Sequence, residues 1–147
     1  MSMQNSNTAD EAKIRSLIDR RADALYAKDA QAALSCLTAD FIEFSLAPPL
    51  ISTMTDAAAY EAWFATWRGP IGTEIRDLDI AVSGDVGVSR SLNLLAVTSA
   101  SGDDVRLWYR QTLSFRKVDG QWKIAHEHAS VPFYMDGSFR AAIDLKP

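Results

Sequence analysis

Two runs of alternating apolar and polar residues, 105–118 and 121–131, dominate the C-terminal third of the chain. They flank Asp119-Gly120, and an Asp-Gly pair between two alternating runs is the strongest short-range signal of a β-hairpin. The pattern therefore predicts two long antiparallel strands joined by a tight turn.

The same alternation sorts the side chains of the hairpin into two faces, because successive residues of a strand point to opposite sides. One face of the first strand carries Leu107, Tyr109, Gln111, Leu113 and Phe115. The opposite face is mostly polar and carries Arg106, Trp108, Arg110, Thr112, Ser114 and Arg116. On the second strand Trp122 and Ile124 share their side with His126 and His128. We expect both histidines to face inward, at the wet end of a pocket with a packed floor.

The N-terminal segment has helical periodicity. Residues 1–9 are polar and are expected to be frayed, and Thr8 or Asp10 is suited to cap a helix that runs to about residue 27. Its apolar stripe is Ile14, Leu17, Ile18 and Leu25. Arg21 falls inside this stripe, so its side chain either extends past the helix edge to solvent or reaches into a pocket toward an acid.

A second helix and a first strand follow. Asp29 is expected to cap a helix over 30–37, and residues 41–46 read as a strand that places Glu43 and Ser45 on the same face.

A third helix is predicted between Asp56, a suitable cap, and the breaker Gly69-Pro70. It carries four aromatic residues at helical spacing: Tyr60, Trp63, Phe64 and Trp67. Such a stripe is typical of a core, and the same rings can also wall a cavity for a flat apolar ligand.

Two further strands are predicted before the hairpin. Residues 73–83 alternate but change phase, which indicates a bulge, and residues 86–99 form a long strand with apolar residues on both faces. Helices followed by a run of antiparallel strands are the order of an α+β fold.

Composition narrows the class of protein. The chain has 147 residues, 48% hydrophobic, which predicts one domain over 10–147. A net charge of −4 argues against a nucleic-acid partner. The lone Cys36 indicates a reducing compartment, and no stretch is apolar enough for a leader or a membrane span. A cytoplasmic protein without a membrane partner is the expectation.

The runs YRQTLSFRKVDGQWKIAHEHASVP and ALYAKDAQAALSCLTADFIEF resemble the SnoaL-like branch of the NTF2-like, or cystatin-like-fold, superfamily. This resemblance covers roughly residues 10–132. It implies a cone-shaped α+β barrel, in which three N-terminal helices pack on a strongly curved antiparallel sheet around a deep cavity. It also implies a homodimer through the outer sheet face. Relatives of this kind include ketosteroid isomerases, polyketide cyclases, dehydratases related to scytalone dehydratase and kinase association domains.

The isomerase residues do not carry over to this sequence. The resemblance aligns Ser45 with the aspartate base of that family and Arg21 with its oxyanion tyrosine. A serine cannot remove a carbon-bound proton unaided. Glu43 has the parity of Ser45 and is a candidate for a displaced base.

The histidines are the other candidates for acid or base chemistry, because their unperturbed pKa lies near neutrality. In this hypothesis His128 or His126 moves a proton on a small apolar or aromatic ligand. Glu43, Tyr109 or Gln111 orients that ligand and Arg21 balances the charge. Structural histidines without a catalytic role are the alternative.

Other site classes have less support in the sequence. Two histidines are too few ligands for a metal, so neither a metal nor a cofactor is expected. Cys36 lies on a predicted helix without a neighbouring base, which argues against a nucleophile. A non-catalytic ligand-binding or dimeric association module remains open beside the enzyme.

Overall fold

The computed structural model describes the backbone of residues 2–147 and the side chains of residues 4–147. Three helices, α1 to α3, and the first strand form the N-terminal part, and four long strands follow. In chain order the elements are α1 Ser2–Tyr26, α2 Ala30–Ser35, β1 Leu37–Phe44, α3 Ala57–Phe64, β2 Trp67–Ser83, β3 Val86–Ser99, β4 Asp104–Val118 and β5 Gln121–Ser130. The predicted α+β class, with N-terminal helices on a curved sheet, is confirmed.

The first helix buries the predicted stripe. Ile14, Leu17 and Ile18 are almost completely buried, because residues three and four apart lie on one helix face. The helix begins at Ser2 and therefore contains residues 2–9, which were expected to be frayed. Residue 1 lies outside the described residues. Asp10 is not a cap but lies within the helix, where its Oδ1 accepts a hydrogen bond of 3.0 Å from Trp122 Nε1.

The two short helices begin at the predicted caps. The carboxylate of Asp29 accepts from the N–H of Ala32 and that of Asp56 from the N–H of Ala59, which satisfies donors that the first helical turn leaves free. The third helix ends earlier than predicted, at Phe64. Gly69 and Pro70 lie inside β2 and do not mark the end of the helix. Trp67 is the first residue of β2, so it does not belong to the aromatic stripe of the helix.

The five strands form one sheet in the order β1-β5-β4-β3-β2. The last four strands pair antiparallel, as predicted, but β1 joins β5 in parallel at the sheet edge. The sheet is thus mixed. A parallel pair needs a long connection, and α3 and three strands lie between β1 and β5 in the chain.

The predicted hairpin of β4 and β5 is confirmed. Asp119 and Gly120 adopt φ of 51° and 77°, the left-handed conformation that a two-residue hairpin turn requires. The inward face of β4 is also as predicted: Gln111, Leu113 and Phe115 are buried whereas Arg110, Thr112 and Arg116 are exposed. The predicted bulge in β2 lies between Arg76 and Asp79.

Packing of α1 across the concave sheet face builds the core. Its fully buried side chains include Ile14, Leu17, Phe41, Ile71, Phe115 and Ile124. Gly87 of β3 allows α1 to approach closely, since a Cβ there would lie 2.9 Å from Ile14 Cδ1. Burial of each large apolar side chain contributes about 1.5–3 kcal/mol.

The C-terminal segment after β5 makes one isolated β-bridge, between Phe133 and Ala141, and buries Ala142. Its large apolar side chains are exposed, among them Met135 and Phe139. Within residues 2–147, no helix has both the length and the apolar character that a membrane crossing needs.

Candidate functional site

A buried ion pair lies between α1 and the concave face of the sheet. Nη2 of Arg21 is 2.6 Å from Oε2 of Glu127, and both side chains are about nine-tenths buried. Of the two possibilities for Arg21, the structure shows the inward one. Burial alone acts to lower the pKa of Arg21, but the Glu127 carboxylate and the Tyr60 hydroxyl outweigh it and raise that pKa.

The second oxygen of Glu127 is held by a chain of buried amides on neighbouring strands. Gln111 Nε2 donates to Glu127 Oε1 at 2.7 Å, and Asn93 Nδ2 donates to Gln111 Oε1 at 3.0 Å. Ser91 Oγ in turn donates to Asn93 Oδ1 at 2.6 Å. The ladder brings these residues together, because Gln111 pairs with Ser91 across β3 and β4. Each amide therefore has a defined orientation.

A second carboxyl lies beside this pair. Glu43 of β1 is in parallel register with Glu127 of β5, so both side chains leave the same face of the sheet. Burial and the negative charge of Glu127 raise the pKa of Glu43 to about 7, against smaller lowering effects of Arg21 and the Ser52 hydroxyl. When two adjacent carboxyls lie in unequal environments, one can stay protonated as an acid while the other is ionised.

Two tyrosines complete the polar cluster. Burial raises the pKa of Tyr60, on α3, although the nearby Arg21 guanidinium acts to lower it. Burial and the charge of Glu127 likewise raise the pKa of Tyr109, on β4, whose hydroxyl faces the side chain of Asn93. Both phenols therefore stay protonated at neutral pH and can donate a hydrogen bond to an oxygen of a ligand.

Aromatic rings adjoin the cluster on the helical side. The ring centroids of Tyr60 and Phe64 are 5.8 Å apart and those of Trp63 and Phe64 are 5.6 Å apart. Trp67 Nε1 and Arg21 Nε are buried and make no hydrogen bond with any described residue. The predicted aromatic stripe is thus present on α3 for Tyr60, Trp63 and Phe64, and Trp67 belongs to β2. That these rings wall a cavity for a ligand stays a prediction.

The predicted inward orientation of the histidines is wrong. The register of β4 with β5 shifts between Ser114 and Phe115, which leaves Ala125 as an extra residue. A bulge of this kind turns all later side chains to the opposite face. His126 and His128 consequently pair with Ser114 and Thr112 on the outer face. Whether they take part in any reaction stays a prediction.

On the outer face the histidines flank an aromatic ring. The ring centroid of Phe44 lies 4.8 Å from that of His126 and 5.3 Å from that of His128. His126 Nδ1 is 2.7 Å from the carbonyl oxygen of Ile42, and because a carbonyl can only accept, this nitrogen donates. His126 is therefore held against β1 by the Phe44 ring and by the Ile42 carbonyl.

A surface groove of about 600 Å³ lies next to this group, lined by Phe44, residues 45–51, His128 and Ala129. Ser45 belongs to this exposed groove and not to the interior, because its Oγ donates to the carbonyl of Ala47 where the strand has already ended. The expectation that Ser45 shares the face of Glu43 is therefore wrong.

Sequence reasoning missed three members of the interior cluster: Glu127, Asn93 and Ser91. Glu127 lies between the two histidines and has the opposite parity, so only knowledge of the bulge would have turned it inward. Asn93 and Ser91 alternate with apolar residues on β3 and were hidden among them. Within the part of the chain that the structure describes, no three His, Cys, Asp or Glu side chains cluster as metal ligands would.

Known structures of similar shape share this architecture. An NTF2-like protein of unknown function from Pseudomonas putida KT2440 is 29% identical, with a TM-score of 0.82 over 95% of this chain and 98% of that one. A ketosteroid isomerase-like protein from Erwinia carotovora atroseptica is 23% identical, with a TM-score of 0.67 over 81% and 93% of the two chains.

A third similar structure, provisionally a scytalone dehydratase from Novosphingobium aromaticivorans DSM 12444, is 19% identical, with a TM-score of 0.77 over 95% of each chain. At these identities the likeness to the isomerase-like and dehydratase structures shows the NTF2-like fold alone. No curated protein matches the chain.

The family model described as the SnoaL-like domain matches residues 14–134. This range contains the Arg21–Glu127 pair, Glu43 and the four aromatic residues of α3 and β2. The resemblance seen in the sequence is confirmed, and the chain belongs to the SnoaL-like domain family.

Proposed function

We propose that the interior cluster binds a small, uncharged, ring-containing molecule and that Glu43 transfers a proton to or from it. The observation that supports this most is the position of Glu43. This half-buried carboxyl has a pKa of about 7 and lies beside a carboxylate already neutralised by Arg21. An acid or base works best when its pKa lies near the working pH.

The charge balance of the cluster supports an uncharged ligand. Arg21 and Glu127 compensate each other, and both oxygens of Glu127 are already hydrogen-bonded, one to Arg21 and one to Gln111. The cationic group is therefore engaged, and ionised Glu43 would repel an anionic ligand. A ketone or alcohol can instead accept hydrogen bonds from the hydroxyls of Tyr60 and Tyr109.

The reaction class that fits these groups is proton transfer next to a carbonyl. Ionised Glu43 takes the proton from the carbon beside the carbonyl. The electron pair of that C–H bond forms a carbon–carbon double bond to the carbonyl carbon, and the π pair of the carbonyl moves to the oxygen. The phenolic hydroxyls stabilise the developing negative charge. Protonated Glu43 then returns a proton to the same carbon, which gives exchange, or, for a β,γ-unsaturated ketone, to the γ carbon, which shifts the double bond and gives isomerisation without any co-reactant.

Deuterium exchange of a simple ketone tests this proposal. The probe is 2-tetralone in deuterium oxide, and the rate of label uptake next to its carbonyl is followed by NMR. We expect faster uptake with the protein than with buffer, and a loss of at least about 100-fold in the protein-dependent rate for Glu43→Gln. His126→Ala and His128→Ala serve as controls on the outer face. Equal rates for the protein and for Glu43→Gln would overturn the proposed role of Glu43.

A binding measurement covers ligands that do not react. Quenching of tryptophan fluorescence by 2-naphthol, a neutral probe, is compared with quenching by 2-naphthoate at pH 8. We expect at least about tenfold tighter binding of the neutral probe, because ionised Glu43 disfavours an added negative charge. Tighter binding of the carboxylate would contradict the proposed ligand class.

A second candidate function, a dimeric association module, is supported by the outer sheet face. Exposed apolar side chains lie there, including Ile42, Val86 and Val88, and the Arg76 guanidinium stacks on the Trp108 ring at 5.1 Å. Arginine with an aromatic ring is a combination enriched at protein interfaces. Light scattering tests a homodimer through this face, and a monomer at micromolar concentration would exclude it.

A further inference from the structure

The direction of the buried hydrogen bonds around Glu127 decides which member of the carboxyl pair can hold a proton. Glu43 and Glu127 lie side by side in parallel register, and two adjacent carboxyls do not readily ionise together. The proton that the pair shares resides on the carboxyl whose anion is less stabilised. Hydrogen-bond donors aimed at one of the two therefore place the proton on the other.

The donors all point toward Glu127. Ser91 donates to Asn93, Asn93 donates to Gln111, and Gln111 donates to Glu127. Since Gln111 Oε1 is occupied by the Asn93 amide, the Gln111 NH₂ group has to face the carboxylate. A flip of one amide alone would set two acceptors or two donors against each other inside the protein, where such a mismatch costs about 1–3 kcal/mol. A joint flip of both amides would need a proton on Glu127 to face Gln111 Oε1, and the Arg21 cation, 2.6 Å from the other oxygen of Glu127, opposes that proton.

Besides this row of hydrogen-bond donors, a small set of groups acts on the two carboxyls. Glu43 is faced by Arg21 from α1, Tyr60 from α3, Glu127 from β5 and the Ser52 hydroxyl from the loop after β1. Glu127 is also faced by Tyr109 from β4. Arg21 also binds Glu127, at 2.6 Å, so the cation and the amide chain favour the same anion. Ser52 is the hydrogen-bonding partner of Glu43 in this set.

We propose that Ser91, Asn93 and Gln111 are positioning residues, which act as a one-way relay of donors, keep Glu127 ionised and so assign the proton of the pair to Glu43. In this proposal the three residues act through Glu127 and not directly on the ligand. This inference rests on the proposed function, because it explains how Glu43 becomes the proton-carrying member. It predicts that the relay can be weakened without removal of either carboxyl.

Carbon-13 NMR of the glutamate carboxyls tests the relay without a ligand. The chain contains five glutamates, so selective labelling gives five side-chain carboxyl signals, each assigned by a single Glu→Gln variant. For the unmodified protein at pH 6 we expect a protonated Glu43 and an ionised Glu127. In Gln111→Met, which removes the donor with little change of volume, the ratio of protonated to ionised Glu127 should rise about tenfold at a given acidic pH.

Two further variants sharpen the test. Gln121→Met changes an exposed glutamine of the same strand as Glu127 and should leave the Glu127 signal as in the unmodified protein. Asn93→Leu keeps Gln111 but removes the donor that fixes its orientation, and should shift the ratio in the same direction by a smaller factor. It decides the question if Gln111→Met does not fold.

The outcomes separate the two proposals. An unchanged Glu127 ratio in both Gln111→Met and Asn93→Leu overturns the relay but leaves the proposed role of Glu43 intact. An ionised Glu43 beside a protonated Glu127 in the unmodified protein at pH 6 overturns the relay and removes the support for Glu43 as the proton carrier. A rise of the ratio with both variants, and none with Gln121→Met, supports the relay.

Discussion

Replacement of Glu43 by glutamine should stabilise the protein, and the gain should depend on pH. Glu43 is half-buried, and its pKa in the folded protein is about 7, against an ordinary value of 4.5. Between these two values the folded state binds more protons at this site than the unfolded state. Stability therefore falls as the pH rises through this window. Glutamine has the same shape as the protonated acid and carries no such penalty.

The size of the effect follows from the displacement of the pKa. A full proton difference over this window corresponds to about 3 kcal/mol. Because Glu43 is only partly buried, solvent screening reduces this energy, and we expect about 1–2 kcal/mol. The free energy of unfolding of Glu43→Gln minus that of the unmodified protein should be constant below pH 4.5, rise up to about pH 7.5 and stay constant above it.

Urea unfolding measures this difference. The four tryptophans provide the fluorescence signal, and the two proteins are compared in half-unit steps from pH 4 to pH 8 at constant ionic strength. Glu61→Gln, on the exposed side of α3, is the matched control and should show no such rise. A difference between Glu43→Gln and the unmodified protein that does not change with pH would refute the assignment of a raised pKa to Glu43.

Three other predictions concern neighbouring groups. Arg21→Met should lower the free energy of unfolding by about 3–5 kcal/mol, since it leaves the Glu127 carboxylate buried without its cation; urea unfolding at pH 7 measures the loss, which adding Glu127→Gln should reduce. Asp10→Asn should destabilise the protein at pH 7. The difference should begin to shrink as the pH falls below 3.8 and should be lost as the pH passes the lower pKa of folded Asp10, which the Trp122 indole and Lys117 set; unfolding curves at pH 7 and pH 3 test the decrease. His126→Ala and His128→Ala should leave the Glu43 titration unchanged by carboxyl NMR, because both imidazoles lie across the sheet from it.

The hairpin, the α1 stripe and the caps of the short helices could be predicted because each depends on residues close together in the chain. Asp119-Gly120 defines its own turn, and Asp29 and Asp56 cap the helices that follow them within three residues. The parallel pairing of β1 with β5 could not be predicted in this way. It joins residues about 85 positions apart, such as Glu43 and Glu127, and local periodicity carries no information on such contacts.

The site was missed in part for a more specific reason. Parity arguments on β5 are correct up to Ile124 and fail from His126 onward, because Ala125 is an extra residue in the ladder. Alanine is small and has no turn preference, so nothing in its identity marks a bulge. The sequence HisGluHis is therefore ambiguous by one position, and that single position decides whether two imidazoles or one carboxylate faces the interior.

The bulge also accounts for the chemistry of the interior. With Ala125 inserted, the buried position of β5 next to Glu43 is occupied by Glu127 instead of a histidine, and Arg21 acquires a partner at 2.6 Å. A neutral imidazole there would leave Arg21 uncompensated and would favour ionised Glu43, because a nearby cation lowers the pKa of a carboxyl. The carboxylate has the reverse effect: it neutralises Arg21 and raises the pKa of Glu43 to about 7. Deletion of Ala125 removes only the extra residue and keeps the pairs of Ser114 with His126 and of Leu113 with Glu127. A folded deletion variant should therefore keep Glu127 inward and the Glu43 carboxyl signal titrating near pH 7, and a Glu43 signal that titrates well below pH 7 would contradict the role given to the bulge.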